Sequence, residues 1–317
     1  LKGNPGIISM TATHSRPADA PPSWVDHLSR RLQPYARLSR FDRPIGFWLL
    51  ALPCWMGLGF GALDVGWKAE NLFYGILFGL GAIAMRGAGC TYNDIADKDL
   101  DKSVARTASR PLPAGDVSVR KAWLWLFAQV GVGFLVWLTL PLDAKLMALV
   151  SIPLVAAYPF MKRITWWPQA WLGITFNWGF PIGYLTAGGN DFLWPVLFFL
   201  GLVMWTIGYD TLYARQDVED DALIGIRSTA RLFGDHSFLA ITLIYGITSL
   251  LLALALMNGG PRIPDAMVAA AFFFHLIWQL AVFKMRGDRA ALQLFKSNRD
   301  AGLLVVFGLV VTIALTF

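Results

Sequence analysis

Long apolar runs recur along the chain, broken by short stretches of glycine, proline and charge. They predict helices near residues 45–63, 71–92, 121–140, 144–161, 168–187, 191–213, 236–257, 264–283 and 300–317. Several of these runs reach the roughly 20 residues that a helix needs to cross about 30 Å of hydrocarbon. The expected architecture is all-α and integral to a membrane, with nine transmembrane helices in one domain over residues 41–317. The first 40 residues are polar, carry Pro17, Pro21 and Pro22, and lack the apolar core of a signal peptide. They are expected to form a disordered cytoplasmic tail.

Composition agrees with a bilayer as solvent. The chain is 56% hydrophobic and only 15% charged, with a mean hydropathy of +0.51. A net charge of +6 would raise the question of nucleic acid in a soluble protein, but here the basic residues fall in alternate loops. One side receives Arg40 and Arg43, then Lys98 to Lys121, Lys162 and Arg163, Arg215 to Arg231, and Lys284 to Arg299; the other receives only Lys68, Lys145 and Arg262. That asymmetry fixes membrane orientation, with the N-terminus cytoplasmic, and argues against nucleic acid as a partner. Cys54 and Cys90 both lie inside apolar runs, where they read as packing residues.

Two acidic clusters stand out in a chain so poor in charge. The first follows the second apolar run. Asn93, Asp97 and Asp101 recur every fourth residue, Asp94 joins them in a continuing helix, and Asp99 points away. The second cluster, at the end of another apolar run, is Asp210, Asp217 and Asp221, with Glu219 and Asp220 off that face. Like charges this close repel, so a cation is expected between them. Oxygen-only donors suit a hard ion, and magnesium in particular is held by one or two carboxylates plus substrate phosphates. Asn93, Asp94, Asp97, Asp101, Asp217 and Asp221 are the expected metal ligands around one diphosphate. Solvated loop charge is the plainer alternative, and the helical period of both clusters argues against it.

A diphosphate also calls for fixed cations. Lys102, Arg106 and Arg110 follow the first cluster, and Lys162 and Arg163 close the fourth run. Membrane anchoring explains each equally simply, with Lys162 the best phosphate partner among them. Arg86 differs because it lies inside the second run, about two turns before Asn93 and Asp94 and on the same projected face. A guanidinium at membrane depth is unfavourable unless paired, and its fork suits a carboxylate or phosphate, so it reads as a substrate ligand or a structural ion pair. No Walker-type loop, Cys/His metal spacing or Gly-x-Ser-x-Gly elbow is present in the sequence.

The segment Gly89-Cys90-Thr91-Tyr92-Asn93-Asp94-Ile95-Ala96-Asp97-Lys98-Asp99-Leu100-Asp101, followed by Arg106-Thr107-Ala108-Ser109-Arg110-Pro111-Leu112-Pro113-Ala114-Gly115, resembles the UbiA-type intramembrane prenyltransferases. So does Tyr209-Asp210-Thr211-Leu212-Tyr213-Ala214-Arg215-Gln216-Asp217-Val218-Glu219-Asp220-Asp221 with Gly225-Ile226-Arg227-Ser228. Within that family, Arg43-Pro44-Ile45-Gly46, Tyr158-Pro159-Phe160-Met161-Lys162-Arg163 and Tyr209-Asp210-Thr211 are similar to the branch that acts on 4-hydroxybenzoate in the ubiquinone pathway. The resemblance, from about residue 35 to the C-terminus, implies helices around a central cavity, cytoplasmic aspartate motifs, and Mg2+-dependent transfer from a polyprenyl diphosphate. Arg43, Arg86, Lys102, Arg106, Tyr158, Lys162 and Tyr213 are the expected substrate-binding residues, with Lys162 and Asp210 as catalytic residues. The implied location is a bacterial inner membrane, or the mitochondrial inner membrane in a eukaryote. A transporter would place its acids near the bilayer midplane, whereas these lie at the cytoplasmic ends of the helices.

Overall fold

A computed structural model describes residue 17 and residues 20–102, 107–223, 225–257 and 262–317. All regular structure among these residues is helical. After a 3-10 turn at Trp24–His27 come α1 (Gln33–Leu38), α2 (Ile45–Val65), α3 (Ala69–Ala96), the single turn α4 (Lys98–Asp101), α5 (Val119–Thr139) and α6 (Leu142–Ile164). The second half holds α7 (Pro168–Asn177), α8 (Gly179–Ala187), α9 (Leu193–Ala214), α10 (Val218–Leu223), α11 (Thr229–Phe233), α12 (Ser237–Leu256), α13 (Ile263–Arg286) and α14 (Ala291–Thr316).

Seven helical runs among the described residues are long and apolar enough to cross a membrane. The last, Ile263–Thr316, is 54 residues long and holds two helices, α13 and α14, which pack against each other across a turn at Gly287 with φ of +60°. Each segment expected to span falls on helix, but not on nine uniform helices. The segment expected as one helix over 168–187 is two, of 10 and 9 residues, meeting at Trp178. Pro181 supplies the reason: it has no N–H to offer the carbonyl of Asn177, so the helical ladder breaks there.

Burial separates central from peripheral helices. In their most apolar windows α2 is 67% buried, whereas α5 and α6 are 17% and 11% buried. The exposed faces of α5 and α6 carry Leu124, Phe127, Leu135, Leu146 and Ile152, apolar side chains that lipid rather than water would cover. Helix α2 meets α8 through glycines. A Cβ at Gly57 would overlap the carbonyl of Phe180, and one at Gly183 would overlap that of Cys54, so only glycine permits this approach.

The tail expected over residues 1–40 is folded in its later part. Val25 and Leu38 are buried, Leu38 packs with Leu112, Val117 and Ala122, and Arg37 bridges Asp26 at 2.9 Å. These apolar anchors stand singly among polar residues, too sparse to register as a run. Residues 1–16 lie outside the described residues.

Candidate active site

Helix α3 runs on from its apolar stretch to Ala96, and the backbone kinks at Asp97 before the turn α4. Asp97 is 2% exposed, and its two oxygens accept from Lys162 Nζ at 2.5 Å and from Arg163 Nη2 at 2.8 Å, both at the end of α6. Asp101 is also buried and pairs with Arg110 at 3.1 Å. Burial pushes its carboxyl above the ordinary range, against the opposing pull of Arg110. Asp99 is exposed, as the helical period requires.

The second motif leaves α9 through a 3-10 turn at Arg215–Asp217 before α10. The chain then folds back: Ile226 N–H donates to the Asp221 carbonyl, and Arg227 N–H donates to the carbonyl of Lys162 at 3.0 Å. Ser228 caps α11, and the hydroxyls of Thr211 and Thr229 meet at 2.5 Å. These contacts tie the second motif to the end of α6, which already holds Asp97. Asn93, Asp97, Asp101, Asp210, Asp217 and Asp221 consequently line one polar cavity of about 370 Å³, with Arg43, Tyr158, Lys162 and Tyr213 also in its wall.

A second, mostly apolar cavity of about 420 Å³ adjoins the first, and the two share Asn93, Arg110 and Tyr158. Phe78, Met85, Val136 and Trp137 are among its apolar lining, and Arg86 lies in the same wall. The Arg86 guanidinium rests 5.3 Å from the centre of the Phe176 ring, and its Nε is buried without a hydrogen-bond partner. A Cβ at Gly46 would overlap that guanidinium, which gives Gly46 of the Arg-Pro-Ile-Gly segment a physical purpose.

Most of the expected site residues come together; among the described residues Asp94 and Lys102 do not. Asp94 is 1% exposed and lines the apolar cavity but not the polar one; its Oδ1 takes a 2.7 Å hydrogen bond from Arg40, with Arg110 at 3.6 Å. It is set apart from the expected metal ligands, facing the apolar cavity beside Asn93 in an ion pair with Arg40. Lys102 is exposed and lines neither cavity, and Arg106 lies outside the described residues. The Arg40–Asp94 pair, 54 residues apart, was not legible in the sequence; Arg40 holds a left-handed φ of +57°, which no residue pattern announces. Gln169, which accepts from Thr229 N–H at 3.0 Å and lines the polar cavity, carried no signal either.

The donor set suits a hard cation. Among the described residues no three acidic, His or Cys side chains converge on a single point. Carboxylates of two motifs instead line one cavity of about 370 Å³. This is the arrangement magnesium favours when substrate oxygens and water complete its shell, rather than an all-protein cage.

Comparison with known proteins agrees with this architecture. Residues 45–312 match the UbiA prenyltransferase family. The chain is 42% identical over 288 residues to a mitochondrial 4-hydroxybenzoate polyprenyltransferase of Bos taurus, covering 90% of this chain and 77% of that protein. The fold matches a UbiA homolog from Aeropyrum pernix K1 with a TM-score of 0.72 at 24% identity, covering 84% of this chain and 97% of that one. It also matches a UbiA homolog from Archaeoglobus fulgidus bound to GPP and Mg2+ with a TM-score of 0.70 at 19% identity, covering 89% and 99%. An all-helical membrane bundle with paired aspartate motifs around a polar cavity, and a family match across most of its length, lead to one conclusion: this chain belongs to the UbiA prenyltransferase family.

Proposed function

We propose that this protein transfers a polyprenyl group from its diphosphate to the ring carbon ortho to the hydroxyl of 4-hydroxybenzoate, releasing diphosphate, in ubiquinone biosynthesis. The observation that carries this reading is the joining of two unlike cavities. One is lined by carboxylates and cations, the other is largely apolar with the Arg86 guanidinium deep in its wall, and they meet at Asn93, Arg110 and Tyr158. A polyprenyl diphosphate has the same two-part character. The cattle relative carries that activity in its name, and the archaeal structure with GPP and Mg2+ supports a diphosphate and a divalent ion in this fold.

Asn93, Asp97, Asp101, Asp217 and Asp221 are the residues that would hold Mg2+ with the diphosphate; when bound, the ion offsets charge building on the leaving group. Lys162 contributes a fixed positive charge from the end of α6. As the allylic C–O bond breaks, its electron pair leaves on the diphosphate. Ring π electrons form the new C–C bond, and the ring then loses a proton. Asp210, in the polar cavity wall, is positioned as the base for that proton, and Arg86 or Arg43 as partner for the acceptor carboxylate. Apolar lining keeps water from competing for the allylic cation.

The reading extends to topology: nine crossings, with α7 and α8 together making one, and both aspartate motifs on the cytoplasmic side with the N-terminus. The host membrane is the bacterial inner membrane, or the mitochondrial inner membrane in a eukaryote. A single cysteine at Ala114, in a background free of Cys54 and Cys90, should be labelled only from the cytoplasmic side; labelling from outside overturns this map. The activity itself is tested by giving membranes 4-hydroxybenzoate, a polyprenyl diphosphate and Mg2+ and analysing the product by mass spectrometry. Absence of a prenylated 4-hydroxybenzoate would sink the proposal.

A further inference from the structure

Gly89 stands in the interior of α3, where glycine is less favourable than alanine because it has more backbone freedom to lose. Several other glycines in this bundle have a packing reason. A Cβ at Gly57 or Gly183 would overlap facing backbone, and one at Gly87 would overlap the Gln129 side chain. Gly89 has no such reason, since nothing in the protein lies within 4 Å of the place its Cβ would take. Gly131 and Gly246 share that property, but both are exposed and line neither cavity. Gly89 lines the apolar cavity.

Its neighbours along the helix give that open space a chemical character. Arg86, three residues before, and Asn93, four residues after, fall on the same face of α3 and line the same cavity. Arg86 brings a cation whose Nε has no partner in the protein. Asn93 stands where the apolar cavity meets the carboxylate-lined one. From Arg86 to Asn93 the helix rises roughly 10 Å, room for one benzene ring with a polar group at each end.

We infer that Gly89 is the floor on which the aromatic ring of the acceptor lies, and that the absence of a side chain there sets acceptor specificity. The carboxylate would face Arg86, and the hydroxyl-bearing edge would face Asn93 and the diphosphate. The ring carbon beside the hydroxyl is then the one presented to the allylic carbon. This inference rests on the proposed reaction and adds to it a residue that selects the acceptor without charge or hydrogen bonding.

The test uses the full chain in membranes, with KM measured separately for 4-hydroxybenzoate and for the polyprenyl diphosphate in wild type, Gly89→Ala and Gly89→Val. The acceptor KM should rise about threefold for Ala and about tenfold or more for Val, while that of the diphosphate stays within about twofold. Alanine favours the helix, so Gly89→Ala should reach the membrane at wild-type yield and decides the matter if the Val variant does not. An unmoved acceptor KM overturns the assignment, as does a diphosphate KM that rises as much, since the prenyl tail would then be the occupant. Either result alongside normal wild-type turnover counts against Gly89 alone. A wild type that fails to prenylate 4-hydroxybenzoate counts against the reaction, and this inference falls with it.

Discussion

The two adjoining cavities solve opposite problems. In the polar one, buried acids are already matched by cations: Asp97 by Lys162 and Arg163, and Asp101 by Arg110. Charge there is organised before any ligand arrives, and a diphosphate with its metal would exchange partners within a ready-made network. In the apolar one a guanidinium stands over Phe176 with its Nε unpartnered, beside a helix face kept bare at Gly89. The first cavity is built for charge wherever it sits on the ligand. The second is built for shape, with the Arg86 guanidinium to fix direction.

Breaking the polar cavity should have the largest effect. Asp97→Ala or Asp217→Ala should lower turnover by about 100-fold or more, and chelation should silence the wild type until Mg2+ is restored. The matching check is the amount of protein in the membrane. Arg163 is 47% exposed and Lys162 25% exposed, so water can take up both cations after Asp97 is lost and the yield should hold. Wild-type activity in either variant would remove the aspartate motifs from the reaction.

A smaller and more selective effect is expected in the apolar cavity. Arg86→Lys keeps the charge and loses the fork, so the acceptor KM should rise about tenfold, more than that of the prenyl diphosphate. The reverse pattern would move Arg86 to the diphosphate. A fall in yield with neither KM changed would make Arg86 structural and leave Arg43 as the carboxylate partner.

The smallest effect belongs to a residue outside both cavities. Lys102→Ala should leave both KM values and turnover within about twofold of wild type, because an exposed lysine is well solvated and touches neither cavity wall. A large loss would show that the polar cavity extends over the loop after Asp101, and would sharpen its boundary.

Legibility in the sequence followed the range of the interactions. Periodicity placed Asn93, Asp97 and Asp101 on one stripe and turned Asp99 outward, and the structure agrees despite the kink at Asp97, because Asp97 N–H still donates to the Asn93 carbonyl and Asp101 N–H to that of Asp97, which keeps the four-residue repeat. The same reasoning grouped Asp94 with the stripe, and there it met a competitor it could not see: Arg40, brought up from 54 residues away. Asp210, Asp217 and Asp221 do share a cavity, although the 3-10 turn between them breaks the continuous helix on which that expectation stood. The apolar run over 168–187 likewise read as one helix, and its length did not say that two short helices would result.

By itself the sequence determined that the chain is helical, that it belongs in a bilayer, and which polar residues are grouped along each helix. Those properties depend on hydrophobic content and local period, which a single strand of text contains. Only the tertiary structure decided that Lys162 and Arg163 would meet Asp97, that the loop after Asp221 would fold back onto α6, and that Gly89 would face empty space rather than a neighbouring helix. Each of these depends on how helices distant in sequence pack, and the close approaches through Gly57 and Gly183 that set this packing are properties of pairs of surfaces, not of either helix alone.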